Sequence, residues 1–103
     1  MNDTKWEELR LAMYNIGNSP KWRTIDVENG YLSDWDGEWY YHFKVGGYKT
    51  IDHVEIKVSD DEMRNLVRNT LANIHVPGCE TKEGFIVIGY IDSSESVEYI
   101  KSL

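Results

Sequence analysis

Cysteine is almost missing from this chain. Cys79 stands alone among 103 residues, which excludes an internal disulfide and any zinc site built on cysteine. Proline is nearly as scarce, with only Pro20 and Pro77. No long hydrophobic run occurs, and the uncharged stretch Phe85–Ile91 is far too short to span a bilayer. The first eight residues, Met1 to Glu8, lack the apolar core of a signal peptide, so a cytoplasmic location is the default expectation. Positive charge is also in short supply. Eleven Lys and Arg face eighteen Asp and Glu, giving a net charge of -7 and a pI near 4.8. A nucleic-acid binder needs a basic stripe to displace counterions, and docking on an anionic membrane needs a basic surface. Neither partner is expected; a basic protein is the partner class that the charge fits. Phosphate-binding glycine loops of the GxxxxGK[ST] or GxGxxG kind, and an HExxH zinc motif, are absent too.

What is present is aromatic and acidic. Aromatic residues make up 13% of the chain and hydrophobic residues 41%, enough apolar surface for a folded core rather than disorder. The length fits a single domain, residues 1–103. Between Gly30 and Phe43 lie two tryptophans (Trp35, Trp39), three tyrosines (Tyr31, Tyr40, Tyr41) and three carboxylates (Asp34, Asp36, Glu38), with no Lys or Arg. The wider segment Asp26–Glu38 holds five carboxylates, again with no basic side chain.

Periodicity supplies the elements. Thr4-Lys5-Trp6-Glu7 matches a capping box, and Trp6, Leu9, Met13 and Ile16 share a helical face, which predicts a helix over 4–16 ended by Gly17 and Pro20. Trp22–Val27 reads as a strand. Asn29-Gly30 and Asp36-Gly37 read as hairpin turns, with strands at Tyr31–Trp35 and Glu38–Val45 beside them. In the latter, Trp39, Tyr41, Phe43 and Val45 alternate with Glu38, Tyr40, His42 and Lys44. After Gly46-Gly47, Thr50–Val58 is a further strand. Ser59-Asp60-Asp61-Glu62 opens a second helix, about 60–74, with the stripe Met63, Leu66, Val67, Thr70, Leu71 and Ile74. A loop over 76–84, a strand at Phe85–Ile91 and a terminal helix or strand over 94–103 complete the chain. The fold class is α+β: an antiparallel meander of four to five strands with two helices on one face, in the order α-β-β-β-β-α-β(-α).

Hairpin geometry then divides the aromatics between two faces. Leu32, Trp39, Tyr41 and Phe43 turn toward the helices. Tyr31, Trp35, Tyr40 and His42 share the helix-free face, with Asp36, Glu38 and Glu55 around them. One register also sets His42 opposite His53 and Glu38 opposite Lys57. Aromatic anchors inside a polar rim are the composition of recognition surfaces; cross-strand packing that stabilises a one-sided sheet is the competing explanation. The candidate binding residues are Tyr31, Trp35, Asp36, Glu38, Tyr40, His42, His53 and Glu55. A His42–His53–Glu55 metal site lacks the further ligand that zinc needs, so no metal and no cofactor is expected. A calcium loop centred on Gly37 fails, because Leu32 and Phe43 fall at its first and last ligand positions. The carboxylates at a hairpin tip are too solvated to serve as an acid–base pair. Cys79 beside Glu80 is not an activated thiol. No catalytic residue is nominated.

Several segments carry a resemblance over nearly the whole chain: Thr4-Lys5-Trp6, Trp22-Arg23-Thr24, Ser33 to Phe43, Val54-Glu55-Ile56, Ile74 to Gly78, and Val97 to Ile100. Together, and above all in Trp35-Asp36-Gly37-Glu38-Trp39, the chain resembles a bacterial family of small single-domain proteins of unknown function. The resemblance implies a bacterial cytosolic protein of one domain and assigns no residue a role. The functional expectation is a non-enzymatic protein-binding domain of the immunity or antitoxin kind, which uses the aromatic and acidic sheet face. The alternatives are a small-ligand or carbohydrate binder, and an enzyme with a His/Glu site on the sheet.

Overall fold

The computed structural model describes residues 1–90 and 97–102. Helix α1 spans Asp3–Tyr14. It begins earlier than the capping box suggests, because the Asn2 side chain, not Thr4, accepts the Lys5 N–H at 2.8 Å. Helix α2 spans Asp61–Ile74. Asp60 caps it by accepting the Met63 N–H at 2.8 Å, and Asp61 and Glu62 complement the dipole in the first turn. His75 ends it in the left-handed region at φ 66°. Val67, Leu71 and Ile74 are buried, whereas Leu66, expected in the same stripe, is exposed.

Four strands form one antiparallel sheet: β1 Lys21–Asp26, β2 Ile51–Lys57, β3 Gly78–Glu80 and β4 Gly84–Ile88. Their spatial order is β1-β2-β4-β3, since α2 and β3 intervene in sequence between the two central strands. The class is α+β, two helices and a four-stranded antiparallel sheet, as expected. Strand β3 lies inside the segment read as a 76–84 loop. Its tight turn into β4 is held by Arg64, which donates to the carbonyls of Thr81 at 2.9 Å and Lys82 at 2.5 Å.

Two expected strands are not strands. Residues 31–36 do run antiparallel along β1, but only as bridges at Ile25–Leu32 and Trp22–Asp36. Ser33 interrupts the ladder there, its hydroxyl accepting the Thr24 N–H at 2.9 Å. Residues 38–45 form a turn and a one-turn 3-10 helix at His42–Lys44. The cause is Glu38, whose carboxylate accepts three successive backbone N–H groups: Tyr40 at 3.1 Å, Tyr41 at 2.6 Å and His42 at 3.0 Å. That arrangement ties up donors a sheet ladder would need. Asp36-Gly37 is accordingly no hairpin; Asp36 accepts the Glu38 N–H in an Asx turn. Gly46 and Gly47 do turn the chain, with φ of 83° and 78°, but into β2 from this coil.

The core sits between the sheet and the helices. Trp22 on β1, Val54 and Ile56 on β2, and Phe85 and Val87 on β4 meet Trp6, Leu9 and Met13 of α1 and Val67 and Leu71 of α2. Trp39 and Phe43 of the coil insert among them, with ring centroids 4.7 Å apart. Burial of each such side chain contributes about 1.5–3 kcal/mol. Tyr41 and Val45, expected to join them, are 63% and 73% exposed, and Leu32 is exposed as well. The terminal helix or strand expected over 94–103 falls partly on residues 94–96 and 103, outside the described residues, as does Ile91 at the end of the strand expected over 85–91. Tyr99 bridges Pro77, Ile100 donates to the Val76 carbonyl and the Ile100 side chain is buried.

Candidate binding surface

Strand register fixes the face away from the helices. Opposite Trp22, Thr24, Val54 and Ile56, the side chains that alternate outward are Lys21, Arg23 and Ile25 on β1, and His53, Glu55 and Lys57 on β2. Ile86 and Ile88 on β4 and Cys79 on β3 join them. Arg23 and Glu55 are direct partners and form an ion pair. Trp35 reaches this face from the coil that borders β1. The Arg23 guanidinium lies 4.4 Å from its ring centroid and the Lys57 ammonium 5.5 Å. A hollow of about 210 Å³ opens beside it, lined by Trp35, Glu55, Thr81, Lys82, Glu83 and Phe85 among others.

The other expected site residues are dispersed. Glu55 stays with Trp35, and His53 shares their face, but its cross-strand neighbours are Ile25 and Ile88, not His42. Its Nδ1 lies 2.8 Å from Asp52. His42 is held by Asp36 at 2.8 Å. Glu38 is folded back on its own coil and is not opposite Lys57; the Cα partners of Lys57 are Lys21 and Gly84. The backbone N–H groups of His42 and then Tyr41 hold the Glu38 carboxyl below the usual carboxylate range. Tyr31 is 66% exposed. Tyr40 sits against α1, 5.1 Å from Tyr14 and 4.9 Å from Tyr41 between ring centroids, with the Arg10 guanidinium 5.1 Å from its own centroid. Among the described residues no group of three or more His, Cys, Asp or Glu is placed to hold a metal ion.

A partly buried polar latch holds the coil on α1. Arg10 donates to Glu7 and to the Tyr40 carbonyl, each at 2.6 Å, and the Tyr48 hydroxyl donates to Glu7 at 2.6 Å. Hydrogen bonds from Arg10 and then Tyr48 lower the Glu7 carboxyl, while burial, reinforced by Glu7, pushes the Tyr48 phenol well up. Pattern reading missed Arg23, Lys57 and Tyr14. The signal for the first two was the pairing of β1 directly with β2, hidden by the strands expected between them.

The model of a family of unknown function, DUF6678, matches residues 1–94. The chain belongs to that family. Family membership thus covers both helices, all four strands and the aromatic coil. No curated protein and no solved structure matches the chain. Among the described residues, no helix is long and apolar enough to cross a membrane.

Proposed function

We propose that this chain is a non-enzymatic protein-binding domain, of the immunity or antitoxin kind, whose docking surface is the helix-free face of the sheet around Trp35. The observation that carries this reading is the place of Trp35. A large aromatic ring lies half-buried over Arg23 and Lys57, on the face opposite both helices, which also carries the half-exposed Ile25, Ile86 and Ile88. Trp and Arg are the side chains that most often dominate interface energetics, and they do so when a partner desolvates them. The net charge of -7 favours a basic partner, drawn in by long-range attraction before the face is engaged.

The test is co-purification from the native host, with partners identified by mass spectrometry, using wild type, Trp35→Ala and Tyr40→Ala. Loss of a specific basic partner with Trp35→Ala alone is the expected result. Retention at full strength in a folded Trp35→Ala protein would reject this face as the interface. A second reading, a small-ligand or carbohydrate binder, rests on the hollow beside Trp35, where a sugar ring could stack while Glu55 and Glu83 accept its hydroxyls. Saturable binding of a neutral sugar that is lost with Trp35→Ala would favour it.

A further inference from the structure

At the end of the sheet where β1 begins and β2 stops, Lys21 and Lys57 are direct Cα partners. Like charges directly opposite one another weaken a sheet, and this chain has carboxylates in excess to place there. Among the described residues neither lysine forms an ion pair: Arg23, the next residue of β1 on the same face as Lys21, takes Glu55, and the Lys57 ammonium lies 5.5 Å from the Trp35 ring centroid. Both lysines line a hollow of about 300 Å³ between the α1–β1 loop and the start of α2. Its remaining lining includes Pro20, Val58 and Met63, with Asn18, Ser19 and Ser59 as its uncharged polar residues. A volume near 300 Å³ is at the lower end for small-molecule sites.

We propose that this hollow binds a small organic anion. Its carboxylate or phosphate lies between Lys21 and Lys57, and its compact apolar body rests on Pro20, Val58 and Met63. Asp60 and Glu62 line an adjoining hollow that shares Asn18, Ser59 and Met63 with this one. They set the ligand's direction: the anion sits at the lysine end, and the end that points toward α2 carries no second negative charge. This proposal does not rest on protein docking at Trp35; the two surfaces share Lys57, and Lys21 belongs to the hollow alone.

The test is an NMR titration of the full chain with benzoate, phenyl phosphate, inorganic phosphate and benzylamine, following the backbone amides of residues 18, 19, 21 and 57–59. Benzoate and phenyl phosphate are expected to shift these resonances saturably, and benzylamine is expected to leave them unmoved. The Lys21→Gln/Lys57→Gln double variant is expected to bind about tenfold more weakly or worse, through loss of charge-assisted hydrogen bonds. No saturable shift with either aromatic anion, or unchanged affinity in the folded double variant, overturns the site. An equal response to inorganic phosphate overturns the apolar half of the assignment. Lys21→Glu gives a reading that needs no ligand. It converts the repulsive pair into an attractive one and is expected to raise the melting temperature; an unchanged or lower value removes the argument from like charge.

Discussion

At the scale of single residues, the coil from Glu38 to Val45 shows how one pattern can serve two structures. Trp39 and Phe43 are four apart, and a spacing of four places residues on one face of a strand and also on one face of a helical turn. Their burial was therefore legible without knowing which structure they belong to. Tyr41 and Val45 separate the two possibilities, and their exposure follows from the Glu38 cap. The energetic contrast is measurable. Trp39→Ala removes a fully buried ring together with its 2.7 Å bond to the Pro20 carbonyl and is expected to cost about 3–5 kcal/mol in chemical denaturation. Tyr41→Ala is expected to stay within about 0.5 kcal/mol of wild type. Equal losses would mean that alternation, not the helical turn, places these rings.

At the scale of elements, ends and ties decide stability. The capping box in the sequence makes Ser59 the cap of α2, but Asp60 is the residue that accepts from the third helical N–H. Asp60→Ala is expected to cost about 1 kcal/mol, and Ser59→Ala about half of that or less; thermal melts of the two variants distinguish them. Strand β3 is tied to α2 by Glu80, which binds Arg68 at 2.7 and 2.8 Å and Arg64 at 2.8 Å. Arg68, then Arg64, lowers the Glu80 carboxyl from 4.5 to about 2. A folded-state pKa below the unfolded one stabilises the protein above the unfolded pKa and ceases to do so as pH falls through the folded one. The Glu80 tie is thus fully present above pH 4.5 and is lost toward pH 2. Wild type is expected to melt higher than Glu80→Gln at neutral pH, with the gap closing over that window; a gap constant with pH would mean that the ionised carboxylate is not what holds β3. Both helices were legible from their apolar stripes, and the strands β1, β2 and β4 from apolar or β-branched runs bounded by turn residues. Strand β3 was not, since three residues with Gly at the start carry no period, and its partners on α2 are long-range. The candidate site suffered from the same cause. Trp35 and Glu55 share a face as expected, but Tyr40, His42 and Glu38 were assigned by a register that exists only if 38–45 is a strand.

At the scale of the whole molecule, charge and shape are divided. Asp26 closes β1, and the acidic side chains of Glu28–Glu38 belong to the turn and coil beside it, while Lys21, Arg23 and Lys57 gather on the open face of the sheet. A basic partner would therefore be attracted by the molecule as a whole and meet locally mixed charge on arrival. On the proposed docking at Trp35, its association rate is expected to fall as salt rises, with the dissociation rate changing much less. Surface plasmon resonance at several ionic strengths would show this; a salt effect confined to dissociation would contradict it.

The coil from Tyr31 to Asp36 has one more consequence. Without it, β1 would present a row of open amides and carbonyls at the side of the sheet, the kind of border on which another chain can add itself as a strand. Here Ser33 and Asp36 fill those positions with their own backbone, and the segment that does so is irregular and carries negative charge at Asp34 and Asp36, so a further strand finds neither a regular ladder nor an uncharged surface to copy. The acidic aromatic stretch thus closes the β1 border of the sheet, and a proteolytic cut in the Glu28–Gly30 turn is expected to raise self-association before it unfolds the core, as light scattering beside a thermal melt would show.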